Sequence, residues 1–453
     1  MASEVASIGI SRTVNGSRGI RSVYPAGREG PADGGVCWVV AAARAAASGD
    51  HSGLDSGAPV PSPTLMPSLS SVLPVRRLAL AAGVVAIASF GLAYRFALRY
   101  RERAGLPHQS PVEGSPEDFG LEFESVEIPS GEALLAGWFV PAASSDGYRR
   151  QGGVRRPRPA IAIVHGWESN RGRSMAHIRY LHAAGFHCLA IDVRGHGDNE
   201  PESLPINVPE FGADAAAAVR WLAGRPEVST IGLLGHSMGG AGAIVAAADE
   251  PAVGAVVALS SPADLVRMTR QTFELAELRV PRAVATPLAW LTAAVLLAPR
   301  RHSIEQASAC VAAARYRGPL LLIHGEDDHG VPVAHMELIA QAARDARSDD
   351  GSAPVETIVV PGYGHRWLYE DTGVRRRTAS FFAAALSGPV APRTAGRLAA
   401  ECIVERPENP VYGFGSLSAA QRDAAEARER ARPRPRATVV SKGGNETGGP
   451  LLN

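Results

Sequence analysis

The stretch Gly235-His236-Ser237-Met238-Gly239 constrains this chain most, because it follows the run Ser229 to Leu234 and precedes the small-residue run Gly239 to Ala248. A strand that turns sharply into a helix forces a strained backbone on the residue at the tip, and flanking glycines leave room for the turn. Ser237 then stands exposed at that tip. Met238 opens the helix, so its N–H has no partner within the helix and points at any negative charge developing beside Ser237. The pentapeptide alone is weak: in a chain with 48 glycines, a chance match arises in about one sequence in three or four. Its weight comes from the strand before it, the helix after it and the partners further along.

At 453 residues, with 45% hydrophobic and 20% charged, the composition is that of a globular protein of one to three domains. A net charge of +1 argues against a nucleic-acid partner, whose binding depends on neutralising phosphates. Lys442 is the only lysine, so nearly all positive charge is arginine. Cys37, Cys188, Cys310 and Cys402 are far apart with no C-x-x-C, which suggests neither a zinc site nor a disulfide framework and favours a reducing compartment.

Residues 1–75 are rich in Ser, Gly, Ala and Pro without sustained periodicity, and are expected to be disordered. Leu78 to Tyr94 is an uncharged run of 17 residues, with Arg76-Arg77 before it and Arg95, Arg99, Arg101 and Arg103 after it. We expect an uncleaved single-pass transmembrane anchor over residues 76–98 and a linker over 99–118, since no small-x-small cleavage site follows. Met66 to Arg77 also has the form of a short n-region, so the first 65 residues are open to being an over-long translation start. Two arginines before the span against four after it place the main domain in the cytoplasm; a start at Met66 argues the other way.

From residue 119 the pattern is an opening hairpin (Leu121 to Ile128, Ala133 to Val140), then strand and helix in alternation. Expected strands are Ala160 to Val164, Cys188 to Asp192, Ile231 to Leu234, Val253 to Leu259, Leu320 to Ile323 and Thr357 to Val360. Short and apolar on both faces, they suit a parallel sheet covered by helices. The helices are expected near Met175 to Ala184, Ala213 to Ala223, Gly240 to Ala248, Val333 to Ala346 and Val374 to Leu386. Residues 263–316 are too long for one crossover and are expected to form a helical cap over the carboxyl edge of the sheet. Within them Ala283 to Ala298 is apolar, with a second membrane span as the rival reading. Past Gly388, residues 389–453 are expected to be a mobile tail, with at most a short helix near Ala419 to Ala431.

A serine hydroxyl needs a base, and the base needs an acid to hold its tautomer. His365, in Gly362-Tyr363-Gly364-His365, is the one histidine of 13 that combines a strand-end loop with a position after the acid. The acid lies in His324-Gly325-Glu326-Asp327-Asp328-His329-Gly330-Val331-Pro332. Asp328 is chosen for its spacing from Val331-Pro332, and Asp327 is second choice. The N–H of Trp167, in His165-Gly166-Trp167, is assigned beside that of Met238 as the pair of oxyanion donors. His196, in Asp192-Val193-Arg194-Gly195-His196-Gly197, reads as a structural turn residue.

On these residues the chain resembles the α/β-hydrolase superfamily, specifically bacterial capped serine hydrolases of the esterase and lipase type, over residues 119–388. The carriers are His165-Gly166, Asp192-x-Arg194-Gly195-His196-Gly197, the Ser237 pentapeptide, the HGxxDxxVP pattern at His324 to Pro332, and Gly364-His365, in the order Ser, Asp, His. The resemblance implies an α/β-hydrolase fold, a mostly parallel sheet flanked by helices, with a helical cap. It also implies a serine hydrolase acting on small-molecule carboxylic esters or thioesters without cofactor or metal; the apolar cap adds a lipophilic preference, and the run Leu78 to Tyr94 adds the membrane. Two other readings remain. Glu274 and Glu277, one turn apart in the cap, would suit an aminopeptidase, and a non-catalytic binding module would keep the fold alone.

Overall fold

The computed structural model describes residues 69–143, 157–276, 278, 280–347 and 352–404. The expectations for residues 1–68, including the Met66 start, and for a helix near residues 419–431 lie outside them.

Eight strands form one sheet: β1 (Glu124–Ser130), β2 (Ala133–Val140), β3 (Arg158–Val164), β4 (His187–Ile191), β5 (Val228–His236), β6 (Val253–Leu259), β7 (Leu320–Gly325) and β8 (Val355–Val360). Their order is β1-β2-β4-β3-β5-β6-β7-β8. β2 is antiparallel to β1 and β4, and every later pairing is parallel. The order reverses at β3, so the loops after β3 and β5 open side by side at the carboxyl edge, where such sheets build their sites.

Strand β3 shows why the apolar runs are unbroken. Ala160, Ala162 and Val164 belong to one buried cluster and Ile161 and Ile163 to the other, so both faces are covered. The first face packs on α3 (Val208–Ala223), α4 (Met238–Asp249), α7 (Ala309–Arg315) and α8 (Ala334–Asp345), through residues such as Phe211, Ile244, Ala313 and Ile339. The second packs on α2 (Met175–Ala183), α9 (Thr372–Ala385) and α10 (Pro392–Glu401), through Ile178, Phe382 and Ala395. Helix α3 starts earlier than periodicity suggests, because Asn207 N–H donates to Glu210 Oε2 at 2.8 Å and Pro209 sits in the first turn.

Helices α5 (Leu265–Leu275) and α6 (Arg282–Leu297) lie between β6 and β7. In α6, Ala289, Ala293 and Leu297 are buried whereas Val284 and Trp290 are exposed, so the helix lays one stripe on the domain. The expected cap of residues 263–316 is therefore shorter than drawn, because α7 buries Ala309, Ala312 and Ala313 in the core beside the sheet.

Two other boundaries move. Residues 392–401 do not belong to the expected mobile tail, because α10 docks on α9: Arg375 donates from Nε to Ala399 O (3.1 Å) and from Nη2 to Ala400 O (3.0 Å), and Ala395 and Ala399 are fully buried. An arginine-rich stretch reads as solvated until its small residues meet a partner face. The expected break at residue 98 is also absent. Helix α1 (Leu69–Ala104) runs through it to the Gly105-Leu106-Pro107 stop, arginine being a good helix former. Its central turns expose Leu78, Leu80, Val84, Val85, Ile87, Phe90 and Leu92, and Arg77–Ala104 is long and apolar enough to cross a membrane. Ala283–Arg300 passes the same length and composition test, with one face on the domain. The last turns of α1 behave differently from its centre: Ala97 is buried, and Phe96 and Tyr100 meet Phe273 of α5 edge-on, at 5.5 and 6.0 Å between ring centroids.

Candidate active site

The turn from β5 into α4 puts Ser237 at φ 54°, ψ −122°, a conformation that costs about 1–3 kcal/mol. Its amide donates to Leu259 O at 2.7 Å, which ties the tip to the end of β6. The flanking glycines are required by contact rather than by torsion. A Cβ on Gly235 would lie 2.2 Å from Gly239 O, and one on Gly239 the same distance from His165 O. Gly166 lies just as close to the tip, since its Cβ would come within 3.2 Å of Ser237 Cβ.

The structure brings Ser237, His365 and Asp328 together although they lie far apart in sequence. His365 Nδ1–H donates to Asp328 Oδ2 at 2.8 Å, and His365 Nε2 faces Ser237 Oγ at 3.0 Å. A carboxylate only accepts, so it fixes the tautomer and leaves Nε2 to take the serine proton. Asp328 is fully buried, and Val331 N–H donates to its Oδ1 at 2.7 Å, which is the physical content of the spacing used to choose it. Burial alone would raise this carboxyl. The charge of His365 and hydrogen bonds from His324 and His365 outweigh burial and hold it well below the ordinary carboxylate range. Asp327 is half-buried, and its amide donates to Tyr363 O at 2.9 Å.

Met238 follows Ser237 at the start of α4, and Trp167 lies in the loop after β3. Neither backbone N–H donates to another group among the described residues, and both residues line the pocket that holds Ser237 and His365. The loop carrying Trp167 is stiffened by His165, whose Nδ1–H donates to Gly166 O (2.7 Å) while its Nε2 accepts from Val193 N–H (3.0 Å). Burial pushes the His165 imidazole down to about 4, so it stays neutral and keeps that donor and acceptor pair. His196 is buried, donates from Nδ1 to Arg194 O at 2.9 Å, and meets the Trp167 ring edge-on and the His165 ring at a tilt, which is the structural role expected of it. Gly197 in the same motif has φ +55°, and a Cβ there would fall 2.1 Å from Asp192 Oδ2. Asp192 is thereby free to accept from the Arg171 and Asp198 amides at 2.6 and 3.0 Å.

Two residues escaped sequence reasoning because both look like filler inside motifs. His236 Nε2–H donates to His365 O at 2.8 Å, and the two rings lie 4.9 Å apart. Burial, then the His365 charge, pushes His236 down to about 3, so it holds the His365 backbone as a neutral donor. His324 Nε2–H donates to Val331 O at 2.6 Å and stands 3.3 Å from Asp328 Oδ2. Of the cap acids, Glu274 is exposed and pairs with Arg270 at 3.8 Å, and it lines neither pocket beside Ser237. Glu277 lies outside the described residues.

Two pockets meet at Ser237 and His365. One runs under the cap and is lined by Ile206, Leu265, Met268, Leu296 and Val331, with Tyr100 and Arg103 of α1. The other lies on the far side of Trp167 and includes Arg173, His177, Arg366 and Tyr369.

The family model described as "Serine aminopeptidase, S33" matches residues 155–309. An uncharacterized protein of Mycobacterium tuberculosis (strain CDC 1551 / Oshkosh) is 32% identical over 249 residues, covering 52% of this chain and 76% of that one. The monoacylglycerol lipase of Mycolicibacterium smegmatis is 28% identical over 246 residues (47% of this chain, 83% of the relative). Human protein ABHD12B is 25% identical over 222 residues (48% and 58%). With a strand order that reverses at β3, a strained serine between β5 and α4, and these relatives, the chain belongs to the α/β-hydrolase superfamily.

Proposed function

We propose that this chain is a membrane-anchored serine hydrolase of carboxylic esters or thioesters. The observation that carries the reading is the unbroken line from Ser237 Oγ through the His365 ring to Asp328, at 3.0 and 2.8 Å. Ser237 attacks the carbonyl carbon as His365 Nε2 takes its proton, and Asp328 stabilises the imidazolium that forms. The Met238 and Trp167 N–H groups receive the oxyanion. His365 then returns the proton to the departing alcohol or thiol, and water repeats the cycle to free the acid. The match to a serine aminopeptidase family keeps a peptidase in view; Glu274 lines neither pocket, and the acidic residue that lines the pocket under the cap is Glu168, whose carboxylate meets His108 Nδ1 at 2.7 Å. Anchoring is supported by the exposed apolar centre of α1, which water alone would not tolerate as a free helix.

The apolar lining under the cap makes the substrate lipophilic. An octanoyl 4-nitrophenyl ester is expected to exceed the acetyl ester in kcat/KM by about tenfold or more, since each buried methylene contributes about 0.8 kcal/mol at most. Equal rates on the two esters would remove the lipophilic preference. Absence of fluorophosphonate labelling would remove the enzyme reading in favour of a binding module.

The choice of acid is tested separately. Asp328→Asn is expected to lower kcat by about 10⁴-fold, because a neutral amide leaves His365 in the wrong tautomer. Asp327→Asn is expected to stay within about threefold of wild type, because the carboxylate that His365 Nδ1–H meets is that of Asp328. If the Asp327 variant is the crippled one, Asp328 is not the acid.

A further inference from the structure

The wall of the second pocket contains a cation without a full partner. Arg173 is 14% exposed, and its Nη1 and Nη2 are both buried without a hydrogen bond among the described residues. The nearest carboxylate, Glu113 Oε2, stands 3.8 Å from Nη2, beyond hydrogen-bond reach, and its side chain is half-exposed. A guanidinium carries donors in a fixed fork, and leaving them unmet in a desolvated place costs on the order of a few kcal/mol. Burial pushes the Arg173 guanidinium below its ordinary value, Glu113 only partly offsets this, and the charge of Arg366 adds to it.

The neighbouring arginine shows that this is not a general property of the segment. Arg171, two residues earlier in the turn Arg171–Ser174, ion-pairs with both Asp192 and Asp198. The turn itself is rigid: Asn170 Oδ1 accepts from Gly172 N–H at 3.0 Å, and Asn170 Nδ2 donates to Ser110 O and Pro111 O at 3.1 Å. Arg173, on this turn, lines the same pocket as Ser237 and Arg366. The pocket under the cap also has Arg103 and Glu168 in its wall, while its cap side presents Leu265, Met268 and Leu296.

We propose that Arg173 forms an anion subsite, which holds a phosphate or carboxylate on the alcohol half of the ester while the pocket under the cap holds the acyl chain. This rests on the serine-hydrolase reading above. Ser237 Oγ bonds to the acyl carbon, the ester C–O bond breaks, and the serine proton passes through His365 to the departing alcohol. That alcohol leaves with its negative charge at Arg173, and water then releases the fatty acid. A fork that meets two oxygens of one anion discriminates strongly, since charge-assisted pairs are about twice as strong as neutral hydrogen bonds.

The test uses the full chain in detergent micelles, with 1-oleoylglycerol 3-phosphate and 1-oleoylglycerol as a matched pair. Wild type is expected to prefer the phosphate ester in kcat/KM by about tenfold or more, and Arg173→Gln to lower the anionic-to-neutral ratio by about 30-fold, mainly through KM. Arg173→Lys, which keeps the charge without the fork, is expected to fall between them. Free glycerol 3-phosphate is expected to slow fluorophosphonate labelling of wild type and not of Arg173→Gln. An unchanged ratio with labelling intact, or a wild-type preference for the neutral ester, overturns the subsite and leaves the hydrolase reading standing. If wild type is not labelled at all, both readings fall. If Arg173→Gln itself loses labelling, the ratio in Arg173→Lys decides: a wild-type ratio there counts against the fork, a lowered one supports it.

Discussion

Ser237→Ala is expected to abolish covalent labelling by a fluorophosphonate probe and to lower ester hydrolysis by about 10⁴- to 10⁶-fold, the loss that removing the nucleophile of a triad causes. The fold is expected to survive. Alanine meets the same left-handed backbone that serine already adopts at φ 54°, and the Ser237 amide keeps its bond to Leu259 O. The melting temperature is therefore expected to change by a few degrees at most. Residual activity falls short of zero, because the Met238 and Trp167 N–H groups and the pockets remain to bind and polarise the ester. A variant that still labels, or that keeps more than a few per cent of the rate, would mean that another nucleophile does the chemistry.

The second large effect is on stability in acid. His165, His177, His196 and His236 are held neutral by burial, which pushes them down to about 4, 4, 3 and 3 respectively. In the unfolded chain a histidine titrates near 6.5. Between those values the unfolded chain binds protons that the folded chain does not, so stability falls as pH falls from about 6.5 towards 4 and is fully present above 6.5. Each group contributes at most about 3 kcal/mol at pH 4. Even half of that from all four rivals the roughly 5–15 kcal/mol of net stability of an ordinary domain. The domain is expected to unfold cooperatively between about pH 4 and 5.5, with uptake of several protons. Melting temperature against pH checks this, and a curve that stays flat from pH 7 to pH 4.5 would show that these rings do not stay neutral on folding.

Local sequence was enough for everything that depends on backbone geometry. The unbroken apolar runs of β3 to β7 identify strands covered on both faces, and the observed bounds differ from the expected ones by a few residues at the ends. The glycines around Ser237 announce the turn; a Cβ at Gly235 would collide with Gly239 O four residues on, whereas the one at Gly239 would meet His165 O at the end of β3, a contact that only the tertiary structure supplies. The spacing from Asp328 to Val331 is likewise a local hydrogen bond, so it could be read without knowing the fold.

What only the tertiary structure decided is which distant group reaches each of two similar side chains. Arg171 and Arg173 lie in one turn and are alike in composition, yet Asp192 and Asp198 come to the first, while the second faces the pocket of Ser237. His236 and His324 become donors only because the loops bearing His365 and Val331 fold back over them. The anchor and tail follow the same logic. The linker expected from residue 99 begins instead as the last turns of α1, where Ala97 is buried, Tyr100 meets Phe273, and Tyr100 and Arg103 line the pocket of Ser237. Periodicity reports the face a segment can bury, and burial itself needs a partner whose position is set by contacts tens or hundreds of residues away.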